Sequence, residues 1–377
     1  MKICFIIEYY PPHIGGGETF FKTFAEGLVE HGHQCDIVTC RLTGTEKYEV
    51  KNGVKIYRVN VPKVADRHWY TFLAIYRSVK ISRDADIIHT MTYNGALAAW
   101  FASKVNRKPV VMMALEVLGK KWSGFGFKRS ATLIYRLFEW FVLFLKYDAY
   151  ACISKNTMKS LEGWGIPVEK LYLIYPGIDY KLFDYKKEKE KQEIRKRLGV
   201  KDNTFLYMYH GRPGMIKGVE YLVKAVPVIK EHITDSRLLL VLAKKPSVKY
   251  REILDIIKKG NLDVILIDPL PQEELPYYIA ASDCVVVPSL SEGFGFTCVE
   301  ACAMKRPVVA TNVGSLPEVI SGRYVLVEPK SPEELAAGVE SVYKGKYVTT
   351  KIKTFSWEDT INDYIKLYKK LLNNSKK

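Results

Sequence analysis

At 377 residues the chain exceeds one typical domain and suffices for two, each with its own core. Its 48% apolar and 26% charged residues are ordinary for a soluble globular protein. The net charge of +16 calls for an anionic partner. No zinc-finger, RNP-like or basic-zipper pattern accompanies it, so nucleic acid is not expected, and an anionic small molecule or an anionic membrane surface is.

The opening "MKICFIIEYY" reads as a first strand, because Glu8 interrupts the apolar run too soon for a signal-peptide core. "YYPPHIGGGETFF" (9–21) then joins strand to helix through Gly15, Gly16 and Gly17. Glycines at a helix start allow a ligand close approach to backbone, though they also serve tight packing, and the spacing is not that of a dinucleotide fingerprint. Strand-like runs follow at "CDIVTC", "KIYRVN", "DIIHT", "PVVMMAL", "AYACIS" and "LYLIY". Asp84-x-Asp86 looks like a metal–diphosphate motif but precedes its strand, so Asp86 is read as a polar strand start and no metal is expected. His13 and His89 lie where either could meet a substrate or be satisfied locally.

Between residues 104 and 129 seven lysines and arginines accompany a single acidic residue. Lys120, Lys121, Lys128 and Arg129 are expected to attract an anionic acceptor or lipid headgroups, with Trp122, Phe125 and Phe127 dipping into an interface. A solvated loop is the plainer alternative. "ATLIYRLFEWFVLFLKY" (131–147), interrupted by Arg136, Glu139 and Lys146, is too short and too charged to span a bilayer and is read as a buried helix rather than an interfacial one. The charge-dense "DYKKEKEKQEIRKR" (184–197) reads as a linker running into a solvated helix. The expected domains are therefore 1–178 and 200–356, with 179–199 between them.

Six more strand-like runs follow, from "TFLYMYH" to "YVLVEP". The alternation of strand and helix predicts two doubly wound α/β domains with parallel sheets, facing across a cleft, with ligands at the carboxyl ends of their strands. The seven cysteines are odd in number, show no C-x-x-C pair and mostly lie in apolar runs. That argues against a disulfide framework or zinc site and for a reducing, cytoplasmic compartment.

Two stretches carry chemistry. In "YHGRPGMIKGVEYL" (209–222) a strand ends and a helix begins near Lys217. Arg212 and Lys217 at a helix start are electrostatically unfavourable unless an anion binds between them, and a diphosphate resolves the conflict. In "PSLSEGFGFTCVEACAMKRPVVAT" (288–311) a strand, a glycine turn, a helix and a second strand carry Glu292 and Glu300. The helix start suits a phosphate, and carboxylates on either side of it accept hydrogen bonds from hydroxyls. The plainer alternative makes Glu292 a helix cap and Glu300 a solvated helical residue.

Taken in this order, "GGGE", "HGHQCDIVT", "DIIH", "GIPVEKLYLIYPGID", "GR" followed by "KG", and the segment around Glu292 and Glu300 resemble family 4 of the retaining glycosyltransferases over nearly the whole chain. The resemblance implies the GT-B fold, with "FSWEDTINDYIKLYKKLL" as a terminal helix (357–377) returning to the first, acceptor-side domain. It implies metal-independent transfer from a nucleotide-diphosphate sugar, with no cofactor and with retention of anomeric configuration. Arg212 and Lys217 would hold the diphosphate, Glu300 the ribose, and Glu292 with the backbone from Phe294 through Gly295 and Phe296 to Thr297 the transferred sugar. Gly15 to Gly17 would close over the phosphates. Leu115 and Glu116 stand where many relatives carry a histidine, which puts an acceptor-side role there in doubt. The acceptor, anionic or lipid-linked, and a peripheral place at the cytoplasmic membrane face follow from the charge. A GT-B epimerase or phosphorylase and a non-catalytic nucleotide-sugar or membrane-binding protein remain as alternatives.

Overall fold

The computed structural model describes residues 1–13, 15–125, 129–244 and 247–374. The chain divides into two compact units: Met1–Gly177 with the C-terminal segment from Trp357 on, and Ile178–Ser356.

The first unit is built on β1 (Lys2–Ile6), β2 (Gln34–Cys40), β3 (Tyr48–Lys51), β4 (Val54–Val59), β5 (Ile87–Met91), β6 (Val110–Ala114), β7 (Ala149–Cys152) and β8 (Leu171–Leu173). They form one sheet in the order β3-β4-β2-β1-β5-β6-β7-β8. Every neighbouring pair is parallel except β3 with β4. Strands such as "VVMMA" are buried along their whole length, as a sheet covered by helices on both faces requires. The strand order reverses at β1 and β5, where Ile3 pairs with Cys35 on one side and Ile87 on the other.

The second unit repeats the plan with β9 (Phe205–Gly211), β10 (Ser236–Leu242), β11 (Val264–Ile267), β12 (Cys284–Val287), β13 (Val308–Thr311), β14 (Arg323–Val327) and β15 (Val348–Thr349). Their order is β11-β10-β9-β12-β13-β14-β15, with the reversal between β9 and β12 and only the β14–β15 pair antiparallel. The strands β3 and β15 have no apolar run to betray them. They are short, largely exposed edge strands, and β3 is also tied to β4 by the Glu49–Arg58 ion pair and by Tyr48 packing on Tyr57 at 5.0 Å.

The terminal helix Trp357–Asn374 buries Ile361, Tyr364, Leu367, Tyr368 and Leu371 along one face of the first unit. Tyr364 lies 4.5 Å from the Phe24 ring, and the Tyr368 hydroxyl is 2.6 Å from His89 Nδ1. His89 is thus held locally in an aromatic core, and burial pushes its imidazole down to about 3.

Two expectations change. Residues 184–197 are part of the second unit and not a free linker. Arg195 is 1% exposed and donates to Ala281 O at 2.9 Å, Lys201 O at 2.8 Å and Asp283 Oδ2 at 3.2 Å. One guanidinium pins the segment to the chain ends that lead into β9 and β12, while Glu193, Lys196 and Arg197 remain exposed, and composition does not distinguish the two. The helix Arg129–Phe144 is not a buried helix. It buries Thr132, Glu139, Val142 and Leu143, whereas Leu137 and Trp140 are 55% and 51% exposed. Among the inward residues is the carboxylate of Glu139, which accepts from Leu118 N (2.9 Å), Gly119 N (2.6 Å) and the Tyr93 hydroxyl (3.1 Å).

Candidate active site

In the second sheet the reversal brings the carboxyl ends of β9 and β12 side by side, the place where such sheets leave a ligand crevice. Arg212 follows β9 directly and its side chain is exposed, with its carbonyl accepting from the Tyr209 hydroxyl at 3.1 Å. The loop then folds back through Gly218, whose φ is +62° and whose added Cβ would lie 2.0 Å from Pro288 O. Only glycine lets the two loops touch there. The close approach is sealed by Leu290 N donating to Ile216 O at 2.7 Å.

This contact delivers Lys217 to Glu292. The ammonium lies 2.7 Å from Oε2 and 3.0 Å from Oε1, and the Ser289 hydroxyl donates to Oε2 at 3.0 Å. Glu292 is fixed through its backbone as well, since Ser315 donates to its carbonyl from both N and Oγ at 3.1 Å. Gly314, at φ +56°, makes this possible, because a Cβ there would fall 2.3 Å from Glu292 O. Glu292 does not cap the following helix, Phe296–Ala303. That role falls to Gly295 in a left-handed conformation, and no side chain caps this start. The positive end of the dipole is therefore left beside Glu292. Phe294 is buried against Phe296 and Phe355, so its side chain packs, and Thr297 Oγ1 reaches His210 O at 3.5 Å.

Glu300 is not a solvated helical glutamate. Its Oε2 lies 3.7 Å from His210 Nε2, both side chains are nearly buried, and that nitrogen has no hydrogen-bond partner. Burial pushes the Glu300 carboxyl up to about 7 and the His210 imidazole down to about 4. The sequence reading overlooked His210, although a polar residue closing the run "LYMYH" at the strand's carboxyl end was a signal.

The expected residues of the first unit fall differently. Gly15 is extended, and an added Cβ would sit 2.2 Å from Glu18 Oε2. The Glu18 carboxylate lies against Gly15, 2.7 Å from His13 Nδ1, and His13 stacks on Tyr9 with ring centres 4.2 Å apart. Gly16 opens the helix and Gly17 would meet only the Met91 side chain. At the reversal of the first sheet lies another residue that sequence reasoning missed. Glu8, 7% exposed, pairs with Arg67 at 3.3 Å and accepts from the Asn94 amide. Burial raises its pKa against the opposing pull of Arg67. Leu115 and Glu116 are held through backbone, to Thr92 Oγ1 at 3.4 Å and the Tyr93 hydroxyl at 3.0 Å.

Lys120 and Lys121 are exposed on the short helical turn Gly119–Phe125, and Arg129 is exposed at the next helix start. Trp122 is half-buried and stacks on Tyr135 at 4.9 Å. Phe125 is buried and so cannot dip into an interface, a correction to the expectation for that loop. Phe127 and Lys128 lie outside the described residues. Asp86 is a strand start, its carboxylate accepting from Lys2 N at 2.8 Å, and among the described residues no three potential ligands gather to hold a metal ion. All seven cysteines are free and buried.

Comparison with known proteins decides the family. Residues 14–182 match Glycosyltransferase Family 4, and residues 190–375 match Glycosyl transferases group 1, so that the two matches take in nearly all of the chain. This chain belongs to the family 4-type glycosyltransferases. An uncharacterised glycosyltransferase of Methanocaldococcus jannaschii is 28% identical to this glycosyltransferase over 391 residues, covering 98% of each. A D-inositol 3-phosphate glycosyltransferase of Paenarthrobacter aurescens is 29% identical over 230 residues, 56% of each chain. Among solved structures, sucrose-phosphate synthase from Thermosynechococcus elongatus superposes with a TM-score of 0.80 at 21% identity, covering 99% of both chains. HepE of Anabaena in complex with UDP-glucose gives 0.75 at 17% identity, covering 98% of this glycosyltransferase and 100% of that chain. These likenesses carry the fold, the two-domain, Rossmann-like GT-B architecture.

Proposed function

We propose that this glycosyltransferase takes its sugar from a nucleotide-diphosphate sugar held at the carboxyl ends of β9 and β12, and transfers it with retention of anomeric configuration. The observation that carries the reading is the Lys217–Glu292 pair, formed between the loops after β9 and β12, with exposed Arg212 in the first of these loops and an uncapped helix start after the second. A diphosphate draws Lys217 and Arg212 to itself, and the freed Glu292 carboxylate then accepts hydrogen bonds from the hydroxyls of the transferred sugar. Glu300 takes the ribose hydroxyls from one turn into the helix. As the sugar–phosphate bond breaks, the two cations and the helix dipole at Phe296 and Thr297 stabilise the charge growing on the leaving diphosphate. That positive charge stands where a metal would otherwise be needed, so the reaction is read as metal-independent and cofactor-free. The UDP-glucose complex of HepE supports the donor class, and retention rests on the likeness to the family.

The acceptor is read as anionic or lipid-linked, in keeping with the net charge of +16, and the free cysteines suit a reducing, cytoplasmic setting. Calorimetric titration with uridine, adenosine and guanosine diphosphates tests the donor site. At least one is expected to bind the parent protein and to bind Arg212→Ala and Lys217→Ala more weakly. Binding of none, or equal binding by all three proteins, overturns the assignment.

A further inference from the structure

Twelve of the twenty exposed large apolar side chains among the described residues sit on three helices of the first unit, which marks a built surface and not scatter. On the helix Arg129–Phe144 the exposed set is Leu133, Ile134, Leu137, Trp140, Phe141 and Phe144. Its spacing of one, four, seven, eight and eleven positions is a single helical stripe. The helix Asp66–Ile81 repeats the pattern with Trp69, Phe72, Leu73 and Tyr76, and the helix Ala96–Asn106 adds Phe101 and Val105.

The three helices connect β4 to β5, β5 to β6 and β6 to β7, crossovers that all advance across the sheet in one direction. Right-handed crossovers of that kind lie on one face of a sheet. Their inner residues Tyr70, Leu97 and Val142 accordingly share one core, so their outer stripes look away from the same side. An ordinary surface helix turns its apolar stripe inward, whereas these carry a second stripe outward.

We propose that this face docks on a bilayer surface rich in anionic lipid, with the helix Arg129–Phe144 lying in the headgroup layer. Charge selects this occupant. Of the six lysines and arginines on the three helices, Arg67 is paired with Glu8 and Arg77 lies over the Tyr57 ring, which leaves Lys80, Lys104, Arg129 and Arg136 against Asp66, since Glu139 is turned inward to the Leu118 and Gly119 amides. Exposed Arg129 and Arg136 flank the apolar stripe, and exposed Lys120 and Lys121 precede it on a turn tied to the helix by the Trp122–Tyr135 stack. Apolar area over a cationic rim is the pattern of an interfacial helix. A second copy of the chain fits poorly, because a two-fold contact would press this cationic rim against itself. No helix among the described residues is long and apolar enough to cross a membrane, so the contact is one of lying on the surface.

The inference stands apart from the donor assignment and is tested with vesicles alone. The protein is sedimented with phosphatidylcholine vesicles, with and without phosphatidylglycerol. Binding is expected to appear with phosphatidylglycerol, to fall as salt is raised, and to weaken about tenfold or more in Leu137→Gln/Trp140→Gln and in Arg129→Gln/Arg136→Gln. These side chains are exposed, so both variants should melt with the parent. If either does not, quenching of the unmodified protein's tryptophan fluorescence by brominated-acyl lipid decides, with quenching expected. Absence of parent binding to anionic vesicles, parent-like binding by the apolar variant, or no quenching overturns the proposal. So does a dimer in sedimentation velocity that dissociates in the apolar variant and ignores vesicles.

Discussion

Lys217 and Glu292 are already paired, and this sets what each substitution does. Removing the lysine deletes a charged hydrogen bond to the ligand, so Lys217→Ala should weaken nucleoside diphosphate binding by about 1.5–3 kcal/mol, with a loss of similar size for Arg212→Ala. Glu292→Gln does the opposite to the bare nucleotide. It releases Lys217 from its partner, so affinity for the nucleoside diphosphate should hold or rise while sugar transfer falls. Calorimetry on the nucleotide together with turnover of the full donor checks this split. Equal losses of nucleotide affinity in Glu292→Gln and Lys217→Ala would show that Glu292 does not act on the sugar.

Glu300 supplies a pH dependence whose sign is fixed by its burial. Its carboxyl holds a proton up to about 7, against an ordinary 4.5. If the ionised form accepts the ribose hydroxyls, nucleotide affinity should rise with pH through 7 in the parent relative to Glu300→Gln. The ligand's own phosphate titration is common to both and cancels. Stability runs the other way, because the unfolded carboxyl ionises first. The cost of keeping Glu300 buried is absent below the ordinary value, grows between the two values and is complete above about 7, so Glu300→Gln should be more stable than the parent on the alkaline side only. His210, held down to about 4 from 6.5, adds a cost as pH falls between those two values. A flat affinity difference across neutral pH would remove Glu300 from the ribose.

At the scale of elements, glycines and buried polar groups hold the site's loops. Gly314 at φ +56° lies against the Glu292 backbone, so Gly314→Ala adds both a strained conformation and a clash. A loss of about 1–3 kcal/mol in thermal or urea unfolding is expected, with turnover falling further than stability because Glu292 is displaced. Parent-like stability and turnover would contradict the close approach. Glu139 offers the counterpart in the first unit. Glu139→Ala strands the Leu118 and Gly119 amides and should cost about 3 kcal/mol, measured by urea unfolding.

The same elements show what the sequence could and could not reveal. Parallel strands such as "VVMMA" and "CVVV" were legible because burial on both faces demands an unbroken apolar run. The placement of Glu292, Glu300, Arg212 and Lys217 beside strand ends and glycine turns was legible, because the switch from apolar run to glycine marks those ends. Glu139 was not, since a lone carboxylate in an apolar stretch reads as an interruption and its backbone partners lie twenty residues upstream. The outward stripe of the same helix was hidden for the opposite reason, because hydrophobicity on both sides reads as burial. Arg195 looked like solvated charge, and only its carbonyl partners distinguish it from its neighbours. His210 needed the fold, which alone brings it to Glu300 from ninety positions away.

For the whole molecule, two α/β units of like plan carry different features: the second the Lys217–Glu292 pair on which the proposed donor site rests, the first an outward apolar face with a cationic rim. The central claim, a glycosyltransferase that breaks a nucleotide-diphosphate sugar with retention, is tested most directly by following such donors with proton NMR in the presence of the protein. The expected result is decay of the donor's anomeric signal, release of the nucleoside diphosphate, and a first-formed sugar or glycoside with the donor's own anomeric configuration, slowed strongly in Lys217→Ala. An inverted first product, a donor converted to its epimer with the diphosphate bond intact, or a full panel of donors left untouched by a protein that binds the nucleotide, would contradict it.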